Sequence, residues 1–319
     1  MHFILREYNK VIGKLSNEIG SHSLYSSTLC RVEAQTHLFR SIYLKDQSNR
    51  IRKNNISNIL YNLVNIGVGV LFKPIRDLIL IIISRKKIKH IDSKLLFITY
   101  GDKRSYTPNN SWREEIFRGL KVGSNKHILV LPIGKRIDDI IETIYFCNKC
   151  NESQRISNMY NLLQIQDIFK SILKATKSFV YCFLILKVKR KINVEEKNIK
   201  NELINSVFRD FLSGKMYTNA LYLSALSKIL KGKVDCIIFP WESTCWERLL
   251  LNKLNSIRNN KTITIGYQHT GFSHGLLQHF PTYYDQNLSI NPKYILTAGK
   301  IQENRLNKID GLSKINIET

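Results

Sequence analysis

Beyond residue 93 the chain alternates between short, unbroken apolar runs and helical segments. "KLLFITYGD" (94–102) precedes the loop "KRSYTPNNS" and the helical "WREEIFRGL", and "KHILVLPIG" (126–134) precedes the helical "RIDDIIETIYFC". "VDCIIFP" (234–240) leads into "STCWERLLLNKL", "TITIGYQH" (262–269) into a glycine-containing loop, and "KYILTAG" (293–299) into the helical "IQENRL". Runs of strand length that are apolar at successive positions are buried on both faces, which requires a parallel sheet with helices on each side. The expectation is an α/β fold, Rossmann-like and doubly wound, with a mainly parallel sheet and many helices.

Residues 1–90 read as a helical amino-terminal region with polar joints and no recognisable chemistry. Residues 91–305 form the Rossmann-like domain, with a helical insertion at about 155–231. Its last helix, "MYTNALYLSALSKIL" (216–230), closes on Lys231-Gly232, a helix stop. In residues 306–319, "LSKINIET" reads as the first strand of a second domain.

A formal net charge of +24 directs attention to polyanions: nucleic acid, an anionic membrane or a phosphorylated substrate. The basic runs "SRKKIKH" (84–90) and "KVKRK" (187–191) each follow an apolar stretch, "LILIII" and "FVYCFLIL". Apolar segments ending in basic clusters suit the face of an anionic bilayer, although solvated helix ends give the same pattern. Neither stretch should span a membrane, because Lys73, Pro74, Arg76 and Asp77 interrupt residues 59–83. No nucleic-acid motif is present and the aromatics do not interleave with basic residues, so no nucleic-acid partner is expected. The six cysteines follow no apolar leader, which points to a cytoplasmic setting. Cys147 and Cys150 in "CNKC" lack the second pair that a zinc site needs, and read as ordinary thiols.

Ligands of doubly wound sheets bind outside the carboxyl ends of the strands. That rule selects Gly101-Asp102, residues 240–243, residues 266–271 and Ala298-Gly299. Glu242 lies just past a strand end, where a functional carboxylate would stand. Thr244 and Glu247 form the T-x-x-E capping box, so Glu247 is expected to cap its own helix, at about 1 kcal/mol. Trp246 shares a helical face with Leu249 and Leu250 and is expected to pack on the sheet. In "GYQHTGFSHG", Gln268, His269, Gly271 and His274 stand in a loop whose glycines (266, 271 and 275) allow backbone N–H groups to approach a phosphate or sugar. His269 has the pKa range of a general base. Histidines 269, 274 and 279 recur every five residues, which on a helix does not place them on one face, so no metal is expected.

The run "FPWESTCWERLLLNKL…KTITIGYQHTGFS…KYILTAGKIQENRL" resembles bacterial surface-polysaccharide (capsule, O-antigen, lipopolysaccharide) glycosyltransferases of the GT-B type. Glu242, Trp246, Glu247, Gly266, Tyr267, Gln268, His269 and Gly299 carry the resemblance, which covers about the last hundred residues. It implies the acceptor-side, amino-terminal domain of such an enzyme, with the donor-binding domain missing or truncated after residue 319. The implied reaction moves a sugar from a nucleotide-sugar, used as substrate rather than cofactor, to a lipid-linked glycan at the inner face of the cytoplasmic membrane. Glu242 or His269 would be the base, and Gln268, Gly271, His274, Asp102 and Gly299 would line the substrate site. Two other readings stand beside it: a non-catalytic membrane-associated partner in polysaccharide assembly, and a basic nucleic-acid-binding protein.

Overall fold

In the computed structural model the described residues are 2–31, 67–84, 87–102, 105–106, 125–134, 136–188, 194–257, 261–268, 283–288, 290–308, 312 and 315–318. Helix α1 (His2–Ile19) leads through a 3-10 turn (Gly20–Tyr25) towards Arg31. A π-helical turn (Gly67–Phe72) runs into α2 (Lys73–Ile83), with Pro74 in its first turn. Next come β1 (Ser93–Gly101), β2 (Lys126–Pro132), α3 (Ile137–Gln154), β3 (Ile156–Asn158) and the short α4 (Met159–Leu162). The long helices α5 (Ile165–Val188), α6 (Val194–Leu212) and α7 (Lys215–Ile229) follow. The chain then runs through β4 (Val234–Pro240), α8 (Cys245–Asn255), β5 (Ile263–Tyr267), a 3-10 turn (Tyr283–Leu288), β6 (Tyr294–Leu296), α9 (Lys300–Leu306) and β7 (Asn316–Glu318).

All seven strands join one sheet in the order β3-β2-β1-β4-β5-β6-β7, and every pairing is parallel. The chain winds outward from β1 through β2 to β3, returns to place β4 on the other side of β1, and winds outward again. This is the doubly wound order, with its reversal point between β1 and β4. The alternation along β1 shows why the run is apolar throughout. Leu96 and Ile98 enter the large core with residues of α1, α2 and α5 to α8, while Leu95 and Phe97 enter a second cluster with Ile128, Val130 and Phe146. Each face is buried, so each position must be apolar.

The sequence expectation differs from the structure at both edges. Residues 156–158, placed within a helical insertion, form β3 and pair with Ile128, Leu129 and Val130 of β2. Three residues are too few to show a strand period. Residues 316–318, expected to open a second domain, lie in this sheet, with Ile317 beside Ile295 of β6. Ile317 and Leu312 pack on the large core, and that burial holds the segment here.

Nor does the amino-terminal segment stand apart. Ile12, Leu15 and Ile19 of α1 belong to the large core. Arg31, fully buried, reaches the buried Asp285 at 2.6 Å and the Asn9 amide oxygen at 2.9 Å, tying this segment to the 3-10 turn before β6. Among the described residues no helix is long and apolar enough to cross a membrane.

Candidate functional site at the carboxyl ends of the strands

A parallel sheet puts every strand's carboxyl end on one edge, so Asp102, Glu242, Gln268 and Gly299 lie along the same rim. The richest part of that rim is the reversal point. There Tyr100, next to last in β1, meets the turn of residues 241–244 that joins β4 to α8.

The turn is held tightly. Trp241 continues the ladder through its N–H, which donates to the Tyr267 carbonyl at 2.8 Å, and its side chain is buried. Gly266 opposite is required for this: a Cβ there would stand 2.7 Å from Trp241 Cβ and 3.1 Å from Pro292 Cγ. Gly266 thus makes room for the Trp241 side chain. Ser243 adopts a left-handed conformation, φ 54°, which non-glycine residues rarely take up.

Glu247 secures this conformation. Its carboxylate accepts from the Glu242 N–H at 3.0 Å, the Thr244 N–H at 3.3 Å and the Thr244 hydroxyl at 2.7 Å. The capping-box expectation is therefore met, with the helix beginning at Cys245. One property exceeds a surface cap: Glu247 is 0 % exposed. Burial, opposed by the Thr244 hydrogen bond and reinforced by the charge of Glu242, raises its pKa to about 8.

Tyr100 stands beside this turn, and burial together with the nearby charges of Glu247 and Glu242 pushes its phenol well above the ordinary value. The Trp246 indole N–H donates to the Tyr100 hydroxyl at 2.8 Å, with the two rings edge to face at 6.0 Å. Trp246 also lies against Phe239, so its expected packing on the sheet holds. Two hydrogen-bonded pairs, Trp246–Tyr100 and Thr244–Glu247, thus underlie the turn that presents Glu242. Glu242 itself is half-buried at the rim.

Tyr100 did not stand out in the sequence. Tyr100 reads as one more apolar residue of a buried strand, its only signal being a polar tip at the strand's carboxyl end.

The other expected residues are placed as follows. Asp102 lies just beyond β1 in a turn, its N–H donating to Ser105 Oγ at 3.1 Å and its carbonyl accepting from the Ser105 N–H at 2.9 Å. Gln268 is buried; its N–H donates to the Leu296 carbonyl at 2.8 Å and its side-chain oxygen accepts from the Ala298 N–H at 3.4 Å. Gln268 therefore braces the end of β6 beside Gly299. Gly299 has φ 152° and ψ 166°, open to glycine almost alone, and a Cβ there would meet nothing within 4 Å. His269, Gly271 and His274 lie outside the described residues. So does the second half of the glycine-containing loop.

The site and topology define a doubly wound α/β protein with two glutamates, Glu242 and Glu247, joined through the Glu242 N–H at its reversal point. Comparison of the chain with family models, with curated protein sequences and with solved structures finds no match.

Proposed function

We propose that the chain is the acceptor-side part of a nucleotide-sugar-dependent glycosyltransferase acting in bacterial surface-polysaccharide synthesis, with its acceptor hydroxyl held at the β1–β4 reversal point. The observation that carries this reading is the meeting of Glu242, Glu247 and Tyr100 on a rigid turn where doubly wound sheets bind ligands. The motif resemblance around residues 237–306 supplies the reaction class.

An acceptor hydroxyl is a poor nucleophile at neutral pH. In the proposed step the Glu242 carboxylate takes the hydroxyl proton as the oxygen bonds to the sugar's anomeric carbon. The bond from that carbon to the nucleoside diphosphate breaks, and the electron pair leaves with the diphosphate. A positioned base of this kind contributes about 100- to 10,000-fold. His269 is the other candidate for the proton. Glu247 keeps the turn in place, and burial favours its protonated form. The acceptor class is a lipid-linked glycan and the donor a nucleotide-sugar.

The test is sugar transfer by the complete gene product carrying Glu242→Gln, His269→Ala or Glu247→Gln. Turnover is expected to fall at least 100-fold for Glu242→Gln or His269→Ala, with melting temperatures unchanged. Loss of transfer in Glu247→Gln alone, in a folded protein, would reverse the roles of the two glutamates. Full activity in all three variants would remove the site assignment.

A further inference from the structure

Helix α5 is apolar on both of its sides. Its inward face is formed by Ile168, Ala175, Cys182 and Leu186, all buried in the large core. On the opposite side, at steps of four and seven residues, stand Ile165, Phe169, Leu173, Val180, Leu184 and Val188, all exposed. Phe169 is 64 % exposed, Leu173 70 % and Val188 68 %. A helix covering a core in water ordinarily turns polar residues outward, and one that is apolar all round is covered all round. Helix α2 packs against α5 and repeats the pattern, with Ile75, Ile79 and Ile82 exposed.

The charges on α5 identify what covers it. Lys170, Lys174, Lys177 and Lys187 are exposed, the first three along one flank of the apolar stripe and the last at its carboxyl end. The helix has a single carboxylate, Asp167, which is buried and paired with Lys228 at 2.5 Å. The exposed surface of α5 therefore combines large aliphatic and aromatic groups with positive charge and no negative charge. A second copy of the chain packed on this face about a two-fold axis would bring lysines against lysines. Nucleic acid would match the charge but leave the leucines and valines unburied. An anionic lipid surface matches both, taking the apolar stripe about 5–10 Å into the headgroup–acyl boundary while the lysines meet lipid phosphates.

We propose that the outward face of α5, with α2 beside it, is the docking surface for an anionic bilayer, the helix lying in the membrane plane with Phe169, Leu173 and Leu184 inserted. At 24 residues α5 would lie along the surface for about 36 Å. This surface is argued from α5 alone and is independent of the chemistry proposed at the reversal point.

The test is co-sedimentation of the purified protein with vesicles of phosphatidylcholine and phosphatidylglycerol at equal parts, and with phosphatidylcholine alone. The wild type is expected to bind the mixed vesicles at least tenfold more tightly than the neutral ones, and less tightly as salt is raised. A Phe169→Glu/Leu173→Glu variant should lose at least tenfold in partitioning to the mixed vesicles, with an unchanged circular dichroism spectrum and melt, because both side chains are already in water. Lys170→Glu/Lys174→Glu/Lys177→Glu should abolish the preference for anionic lipid. No binding to either vesicle, or equal binding by wild type and the Phe169/Leu173 variant, overturns the proposal. So does a wild type that is dimeric by light scattering and made monomeric by those two substitutions, which would assign the face to a second copy. Failure here leaves the Glu242 assay unaffected, and the reverse holds too.

Discussion

Replacing Glu247 with glutamine separates a cap from a buried acid. As a cap alone, the carboxylate would stabilise α8 when ionised, and its loss would cost about 1 kcal/mol at neutral pH. Buried at 0 % exposure with its pKa raised from 4.5 to about 8, it behaves otherwise. Between these two values the unfolded chain has lost the proton while the folded protein keeps it. The folded state then binds more protons than the unfolded one, and stability falls as pH rises through this window. Each pH unit inside it is worth about 1.4 kcal/mol, so from pH 5 to pH 7 roughly 2–3 kcal/mol is lost through this one group. Glutamine has nearly the same shape, can still accept from the Glu242 and Thr244 N–H groups through its carbonyl, and does not titrate. The variant therefore lacks this part of the slope. Urea unfolding of both proteins at pH 5, 6 and 7, followed by tryptophan fluorescence, measures the difference directly. Asp77 and Asp210 are also buried and raised, and their contributions have the same sign, but they are common to both proteins and cancel. Stability of the variant relative to wild type is expected to rise by roughly 2–3 kcal/mol between pH 5 and pH 7. A difference that stays constant over this range would mean that Glu247 is ionised in the folded protein, and the burial reasoning would fail.

Two further substitutions probe the frame of the turn. Gly266→Ala would put a methyl 2.7 Å from Trp241 Cβ, and the resulting displacement should destabilise the protein by about 1–3 kcal/mol in denaturant titrations; an unchanged midpoint would show that Trp241 can yield. Trp246→Phe keeps a ring against Phe239 but removes the indole donor 2.8 Å from the Tyr100 hydroxyl, so a loss of about 1–3 kcal/mol is expected.

The central strands were legible in the sequence because the cause is local. A strand covered on both faces has to be apolar at every position, and β1, β2 and β4 announce themselves in that way whatever they pair with. The cap at Thr244 and Glu247 was legible for the same reason, since its hydrogen bonds lie within one turn of chain. Strand order was not, because nothing in β4 specifies that it returns to pair with β1 across more than a hundred residues. The short edge strand β3 was missed because three residues carry no period, and β7 was read as a strand but given to a second domain; the place of each comes from the strand already beside it. The proton-holding character of Glu247 was likewise invisible: its pKa is raised by burial, and burial is decided by tertiary packing, not by the local sequence. The second apolar face of α5 is written in its sequence, but an apolar residue at any helical position reads as core. Only the tertiary structure, by placing the core on one side, shows that the other side is left in water.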